Sequence, residues 1–172
     1  KLLRDQELNR KQQEKAERFL AMHTGSTPLL LPNPWDAGSA KLLASLGFEA
    51  LATTSRGFAA TLGRLDGGVS RDEAIEHARA IVDATELPVM LYDIPPRSVV
   101  AIEPETLLRL AEHPRITAVK DAKGDLYAGS KVLAGSDLAY YSGDDPLTLP
   151  WMAVGGVGVV SIISHVVGPH VR

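Results

Sequence analysis

The 172-residue chain has no cysteine. That excludes disulfide staples, thiolate catalysis and cysteine-based zinc. It has no apolar run near the roughly 18 residues of a membrane span, and no signal peptide is visible. It has no large charge excess either: the net charge is −3 and the pI is about 6.0. No basic surface calls for nucleic acid or an acidic membrane. No repeat, low-complexity tract or interdomain linker interrupts it. Its five histidines, His23, His77, His113, His165 and His170, show no ligand spacing. A soluble cytoplasmic protein is the expectation that remains. The chain begins at Lys1 rather than Met and stops soon after a strand-like run, so both ends read as cut.

What is present is a hydrophobic content of 45%, enough for one domain with a proper core. Residues 1–22 are charged and helical in pattern. Residues 1–13 read as an extension, and Leu8, Phe19, Leu20 and Met22 are possible apolar contacts. Beyond them the chain alternates. Strand-like runs are Leu29–Leu31, Ala50–Thr54, Val89–Tyr92, Ile116–Lys120, Ala139–Ser142 and Val157–Ile163, with helical patterns between. Ser70-Arg71-Asp72-Glu73 is a capping box opening a helix to about Ala84. Glu103-Pro104 opens another, whose Leu107, Leu108, Leu110 and Ala111 fit one face. This alternation implies parallel βα units, an α/β fold of (β/α) TIM-barrel type. Six units fall short of the eight that need around 250 residues. The chain reads as a single truncated barrel-like domain, with closure in doubt and exposed sheet edges that invite self-association.

Active residues in such folds gather at the C-terminal ends of strands. Lys120 ends the run Ile116-Thr117-Ala118-Val119-Lys120. An ammonium there is poorly solvated. Desolvation lowers a lysine pKa, and a neutral amine can attack a ketone. The alternatives are a lysine leaving the sheet for water, or one paired with Asp121.

The second half resembles a known family. Leu91-Tyr92-Asp93-Ile94-Pro95-Pro96-Arg97, Val119-Lys120-Asp121-Ala122-Lys123-Gly124-Asp125, Tyr141-Ser142-Gly143-Asp144-Asp145 and Gly155-Gly156-Val157-Gly158-Val159-Val160-Ser161 look like 4-hydroxy-tetrahydrodipicolinate synthase, in order and spacing across residues 88–172. That family belongs with the pyruvate-dependent class I aldolases and N-acetylneuraminate lyase. The resemblance implies a lyase of lysine biosynthesis that condenses pyruvate with an aldehyde through a covalent lysine imine, without a metal cofactor. It implies Lys120 as the Schiff-base lysine, Tyr92 as the proton relay and Arg97 as the carboxylate-binding residue. Gly143 and Val160 would offer backbone contacts near pyruvate. Taken singly, Tyr92 also reads as an ordinary strand aromatic and Arg97 as a solvated loop cation.

The first half resembles another family. Ala16-Glu17-Arg18-Phe19-Leu20-Ala21-Met22-His23, Leu31-Pro32-Asn33-Pro34-Trp35-Asp36-Ala37-Gly38-Ser39-Ala40 and Ala50-Leu51-Ala52-Thr53-Thr54-Ser55-Arg56-Gly57 are similar to the phosphoenolpyruvate mutase / isocitrate lyase superfamily over residues 14–88. That resemblance implies Mg²⁺ chemistry, with Ser55 contacting substrate and Asp66 on the following loop. Of the metal carboxylates expected after the third strand, only Asp93 could substitute, and one carboxylate is a poor Mg²⁺ site. The seam falls near Leu87-Pro88-Val89. A synthase would carry a Thr-Thr-Gly motif after its second strand and a further tyrosine. The tyrosine has no counterpart, whereas Thr54 occupies the corresponding strand end and could contact substrate. A lysine-dependent aldolase is the leading expectation, a Mg²⁺-dependent mutase or lyase the second, and an inactive hybrid scaffold the third.

Weaker signals have structural readings. Gly155-Gly156-Val157-Gly158 precedes a strand and reads as a tight turn rather than a phosphate cradle. Asp144-Asp145 is expected to shape its loop and cap a helix near Pro146. His77 and His113 read as solvated helix residues, His165 as a residue that could face the rim, and Trp35 as core, with pocket lining as its alternative.

Overall fold

The computed structural model describes residues 14, 17–24, 29–65, 67–98 and 101–171. Five parallel strands form one open sheet: β1 (Leu51–Ala52), β2 (Val89–Asp93), β3 (Ile116–Asp121), β4 (Ala139–Ser142) and β5 (Gly158–Val159). They lie side by side in chain order. Every crossover carries helix: α1 (Ala37–Ser45) precedes β1, and α2 (Ser55–Thr61) and α3 (Arg71–Asp83) follow it. Next come α4 (Pro95–Ser98), α5 (Pro104–Ala111), α6 (Leu126–Gly135), a 3₁₀ turn at Asp145–Leu147, α7 (Thr148–Ala153) and α8 (Ser164–Val171), kinked at Val167. Sequential parallel strands with helical crossovers are the arrangement of consecutive barrel units.

Local chemistry accounts for the boundaries. Ser70 caps α3 through the Glu73 N–H, and the Glu73 side chain accepts the Ser70 N–H, the expected capping box. Such a cap contributes about 1 kcal/mol. Asp36 caps α1 in the same reciprocal way with Ser39, and Thr54 ends β1's extension by capping α2.

The expected six strands are five among the described residues. Leu29–Leu31 runs beside β1 without forming a ladder. The Ala52 N–H donates to the Pro32 carbonyl at 3.0 Å, and Asn33 Nδ2 donates to the Ala52 carbonyl at 3.0 Å. Pro32 and Pro34 have no N–H with which to continue. The Val157–Ile163 run shrinks to Gly158–Val159. Its flanking bonds, Val157 N–H to Tyr140 and Val160 N–H to Ser142, end where β4 ends. Residues 162 and 163 then bend away, donating their N–H groups to Asp145 Oδ2.

The sheet separates two apolar clusters. Val89, Leu91, Ile116, Val119, Tyr140 and the helices form the helix-side core. Met90, Ala118, Ala139 and Tyr141 form the opposite face, where Phe19 packs fully buried and Leu20 and Met22 partly so. Leu8 and the 1–13 extension lie outside the described residues. A register shift between Val89 and Met90 pairs Val89 with Ile116 but Met90 with Ala118. Thr117 is therefore the extra residue of a bulge, and it changes the face on which every later β3 side chain emerges. Lys120 consequently shares the Met90–Tyr92 face. At the far end, Tyr140 and Trp151 rings pack at 4.7 Å. A Cβ on Gly129 would overlap the Trp151 ring.

Candidate active site

Three strand ends converge on Lys120. Tyr92 on β2 and Tyr141 on β4 stand directly across from it in register. Lys120 Nζ lies 4.0 Å from the centroid of the Tyr92 ring. The lysine is half-buried, and desolvation lowers its pKa below the usual lysine range, against the opposing pull of the Asp145 carboxylate. It neither leaves for water nor pairs with Asp121. Tyr92 is desolvated too, which raises its pKa against the opposing effect of the Arg97 charge. Its phenol therefore keeps its proton at neutral pH. Burial pushes the Tyr141 phenol up to about 12.

A cavity of about 180 Å³ is lined by Lys120, Tyr92, Thr54, Val160 and Asn33 among others. A wider cup of about 470 Å³ at the strand ends is lined by Tyr92, Thr54, Arg97, Gly143, Ser55 and Ala122 among others. All six residues singled out in the sequence thus line two cavities that share Tyr92 and Thr54. The Thr54 hydroxyl accepts the Gly57 N–H at 3.2 Å. The Val160 N–H donates to the Ser142 carbonyl at 2.8 Å, and the Gly143 N–H to the Asp121 carbonyl at 2.6 Å. Both amides are therefore spent on the fold, and Gly143 and Val160 line the site without offering those donors. Arg97 is exposed on α4, above the cup.

Behind the sheet is a buried polar network. Asp121 Oδ1 accepts the N–H groups of Lys123 and Gly124 at 2.9 and 2.8 Å, and Oδ2 accepts the Tyr140 hydroxyl at 2.8 Å. Asp93, across from Asp121 in register, accepts the Ile102 N–H and forms an ion pair with Lys123 at 3.2 Å. Burial raises the Asp93 pKa. Lys123 Nζ also donates to the Ile102 carbonyl at 3.3 Å. The loops after β2 and β3 are tied together on the face opposite Lys120. Asp93, the one carboxylate available to the Mg²⁺ expectation, is thus committed to Lys123 and turned from the cup. Asp66 lies outside the described residues. No group of three or more potential metal ligands occurs among the described residues.

Other expectations need correction. Asp144 makes no side-chain cap. Asp145 instead anchors the loop after β5, and its hydrogen bonds, from Ser161 first, lower its pKa. Trp35 is 50% exposed rather than core. His77 is no solvated helix residue: its ring stacks on Phe58 at 3.8 Å. His113 pairs with Asp83 at 3.1 Å. His165 is exposed. Tyr141 escaped the sequence reading as a site residue, although its register position opposite Lys120 follows from aligning the two strand ends.

The sequence pattern of the dihydrodipicolinate synthetase family matches residues 67–172, well over half the chain. The chain belongs to this family. A phosphoenolpyruvate phosphomutase pattern also matches residues 19–95. The two matches overlap at 67–95, the region that holds the expected seam. Among curated family members, the 4-hydroxy-tetrahydrodipicolinate synthase of Mycobacterium leprae (strain Br4923) is 59% identical over 96 residues, 56% of this chain and 32% of that protein. That of Acidothermus cellulolyticus is 66% identical over 94 residues, 55% of this chain and 30% of the relative. The chain spans about a third of the length of these relatives. The family's solved structures share the fold. The Cyanidioschyzon merolae enzyme, solved with lysine bound, gives a TM-score of 0.70 at 34% identity, over 82% of this chain and 47% of that one. The Acinetobacter baumannii enzyme, chloride-inhibited and complexed with pyruvate, gives 0.70 at 25% identity, over 95% and 56%. The sheet is therefore an open portion of a (β/α) barrel. No helix among the described residues is long and apolar enough to cross a membrane.

Proposed function

We propose that the chain carries the pyruvate-activating half of a class I aldolase reaction, with Lys120 as the imine-forming residue. The observation that carries this reading is the half-buried Lys120 amine held against the Tyr92 ring in a cavity bordered by Thr54 and Val160. A depressed lysine pKa raises the share of neutral amine at any given pH. The amine adds to the ketone carbon of pyruvate, water leaves, and a protonated imine forms. That cation draws electrons from C3, a C3 proton departs, and the enamine attacks the carbonyl carbon of an aldehyde to make a carbon–carbon bond.

Tyr92 keeps its proton and can donate it to the departing hydroxyl, then take one back. Arg97 at the mouth of the cup suits a carboxylate, which guanidinium can bind bidentately. Thr54 borders both cavities and suits a substrate contact. The reading uses no separate cofactor, since the electron sink is the imine itself. The likeness to an enzyme complexed with pyruvate supports the keto acid as substrate.

The test is borohydride reduction in the presence of pyruvate, followed by peptide mass spectrometry. A reduced pyruvyl adduct on Lys120, absent from Lys120→Arg, is expected. A folded chain that gives no adduct would overturn the reading.

A further inference from the structure

A second pocket, about 80 Å³, lies on the helix side of the sheet, between α2, α3 and α5 over β2. Apolar side chains dominate it, and among the described residues none that lines it is Asp, Glu, Lys or Arg. Phe58, Leu91 and Ile102 form walls, and His77 of α3 forms one side. The His77 ring stacks on Phe58 at 10° between planes. Its Nε2 is buried and makes no hydrogen bond to any of the described residues. Burial drives its pKa down to about 4, against the opposing influence of Asp36, so the imidazole is neutral.

Three of the pocket's other polar groups are already engaged. Thr53 Oγ1 accepts the Tyr92 N–H, Thr54 Oγ1 accepts the Gly57 N–H, and the Ser98 hydroxyl donates to the Ile94 carbonyl. The space exceeds that of a single water, yet a water held well needs two to four polar partners. A neutral imidazole nitrogen in apolar surroundings instead suits one hydrogen-bonding group on a mostly apolar molecule.

The walls have different ancestry. Phe58 lies in the stretch matched by the phosphomutase pattern alone, and Ile102 in the stretch matched by the synthetase pattern alone. The facing surfaces therefore belong to this chain and to neither family's own packing.

We infer that this pocket is a binding site for a small, neutral, largely apolar molecule, of about five heavy atoms, carrying a single N–H or O–H group that bonds to His77 Nε2. Thr54, Ser55 and Tyr92 border both it and the cup. The site adjoins the Lys120 cavity through Thr53, Thr54 and Tyr92, which line both, but the binding it proposes does not depend on the aldolase reading.

The test compares two five-membered rings of similar size, pyrazole and cyclopentene, by ligand-detected NMR titration. Wild type should bind both, and the ratio of their affinities is the reference. His77→Phe keeps the stack on Phe58 and removes the nitrogen. It should lower the ratio of pyrazole to cyclopentene affinity by roughly fivefold or more, the worth of one ordinary hydrogen bond, with an unchanged near-UV circular dichroism spectrum. Ala78→Leu, which projects a larger side chain into the pocket, should abolish both. Failure of folded wild type to bind either ring overturns the proposal. So does a ratio of pyrazole to cyclopentene affinity that is unchanged in His77→Phe.

Discussion

Tyr92 and Lys120 are register partners on adjacent parallel strands, and the lysine ammonium position sits 4.0 Å from the centre of the tyrosine ring. The ring shields the amine from water on one side. The same ring carries the phenol that can move protons, so one side chain both tunes the amine and serves it.

The lowered Lys120 pKa fixes the direction of a pH profile. Only the neutral amine forms an imine, so the initial rate of pyruvate-dependent borohydride trapping should rise with pH and level off below the usual lysine range. Asp145 is the carboxylate that holds this pKa up. Asp145→Asn should shift the half-maximal pH further down. A shift upward would mean that the carboxylate does not act on Lys120.

Tyr92→Phe separates the two duties of the ring. The apolar face remains, so trapping on Lys120 should persist. Proton movement should fall by about 10²- to 10⁴-fold, the usual worth of a positioned acid–base group. Exchange of the pyruvate methyl hydrogens for deuterium, followed by proton NMR, reads this without any aldehyde present.

Tyr140→Phe should leave Asp121 Oδ2 buried without its 2.8 Å partner. Losing a hydrogen bond to a buried carboxylate costs about 2 kcal/mol. Urea denaturation should report that loss as a lower midpoint at unchanged slope.

Lys123→Met removes the cation beside buried Asp93, whose side chain is 0% exposed. Breaking such a pair should cost about 3 kcal/mol at neutral pH. The Asp93 pKa is already raised by burial, and without Lys123 it should rise further. Folded protein then binds a proton more readily than unfolded chain, so stability falls as pH rises through the raised pKa. The deficit of Lys123→Met should accordingly shrink on acidification towards pH 5. Melting temperatures of both proteins between pH 5 and 8 check this.

Much of the architecture was legible from local pattern. The runs ending at Tyr92, Lys120 and Ser142 are apolar and β-rich, and each is a strand. The Ser70–Glu73 box marks α3 to within a residue of its start. The legible site residues were those at strand ends, because a parallel sheet gathers such ends on one rim. Three other features depend on contacts distant in sequence. Leu29–Leu31 has strand composition, but prolines on its far side deny it a ladder. Val157–Ile163 has the composition of a long strand, but β4 stops at Ser142 and leaves no partner for its second half. His77 sits among charged helix residues, and nothing nearby in sequence announces Phe58 stacked upon it. The Thr117 bulge was likewise invisible, since it exists only as a mismatch between β2 and β3.

The sheet is unequal along its width. β1 and β5 contribute two residues each, whereas β2 and β3 share five register pairs between them. Local opening follows such differences, so amide protons of the outer strands should exchange with solvent first and those flanking Met90 and Val119 last. Lys120 and Tyr92 are mounted on the part of the sheet that opens least often, and fraying of either margin leaves their pairing intact.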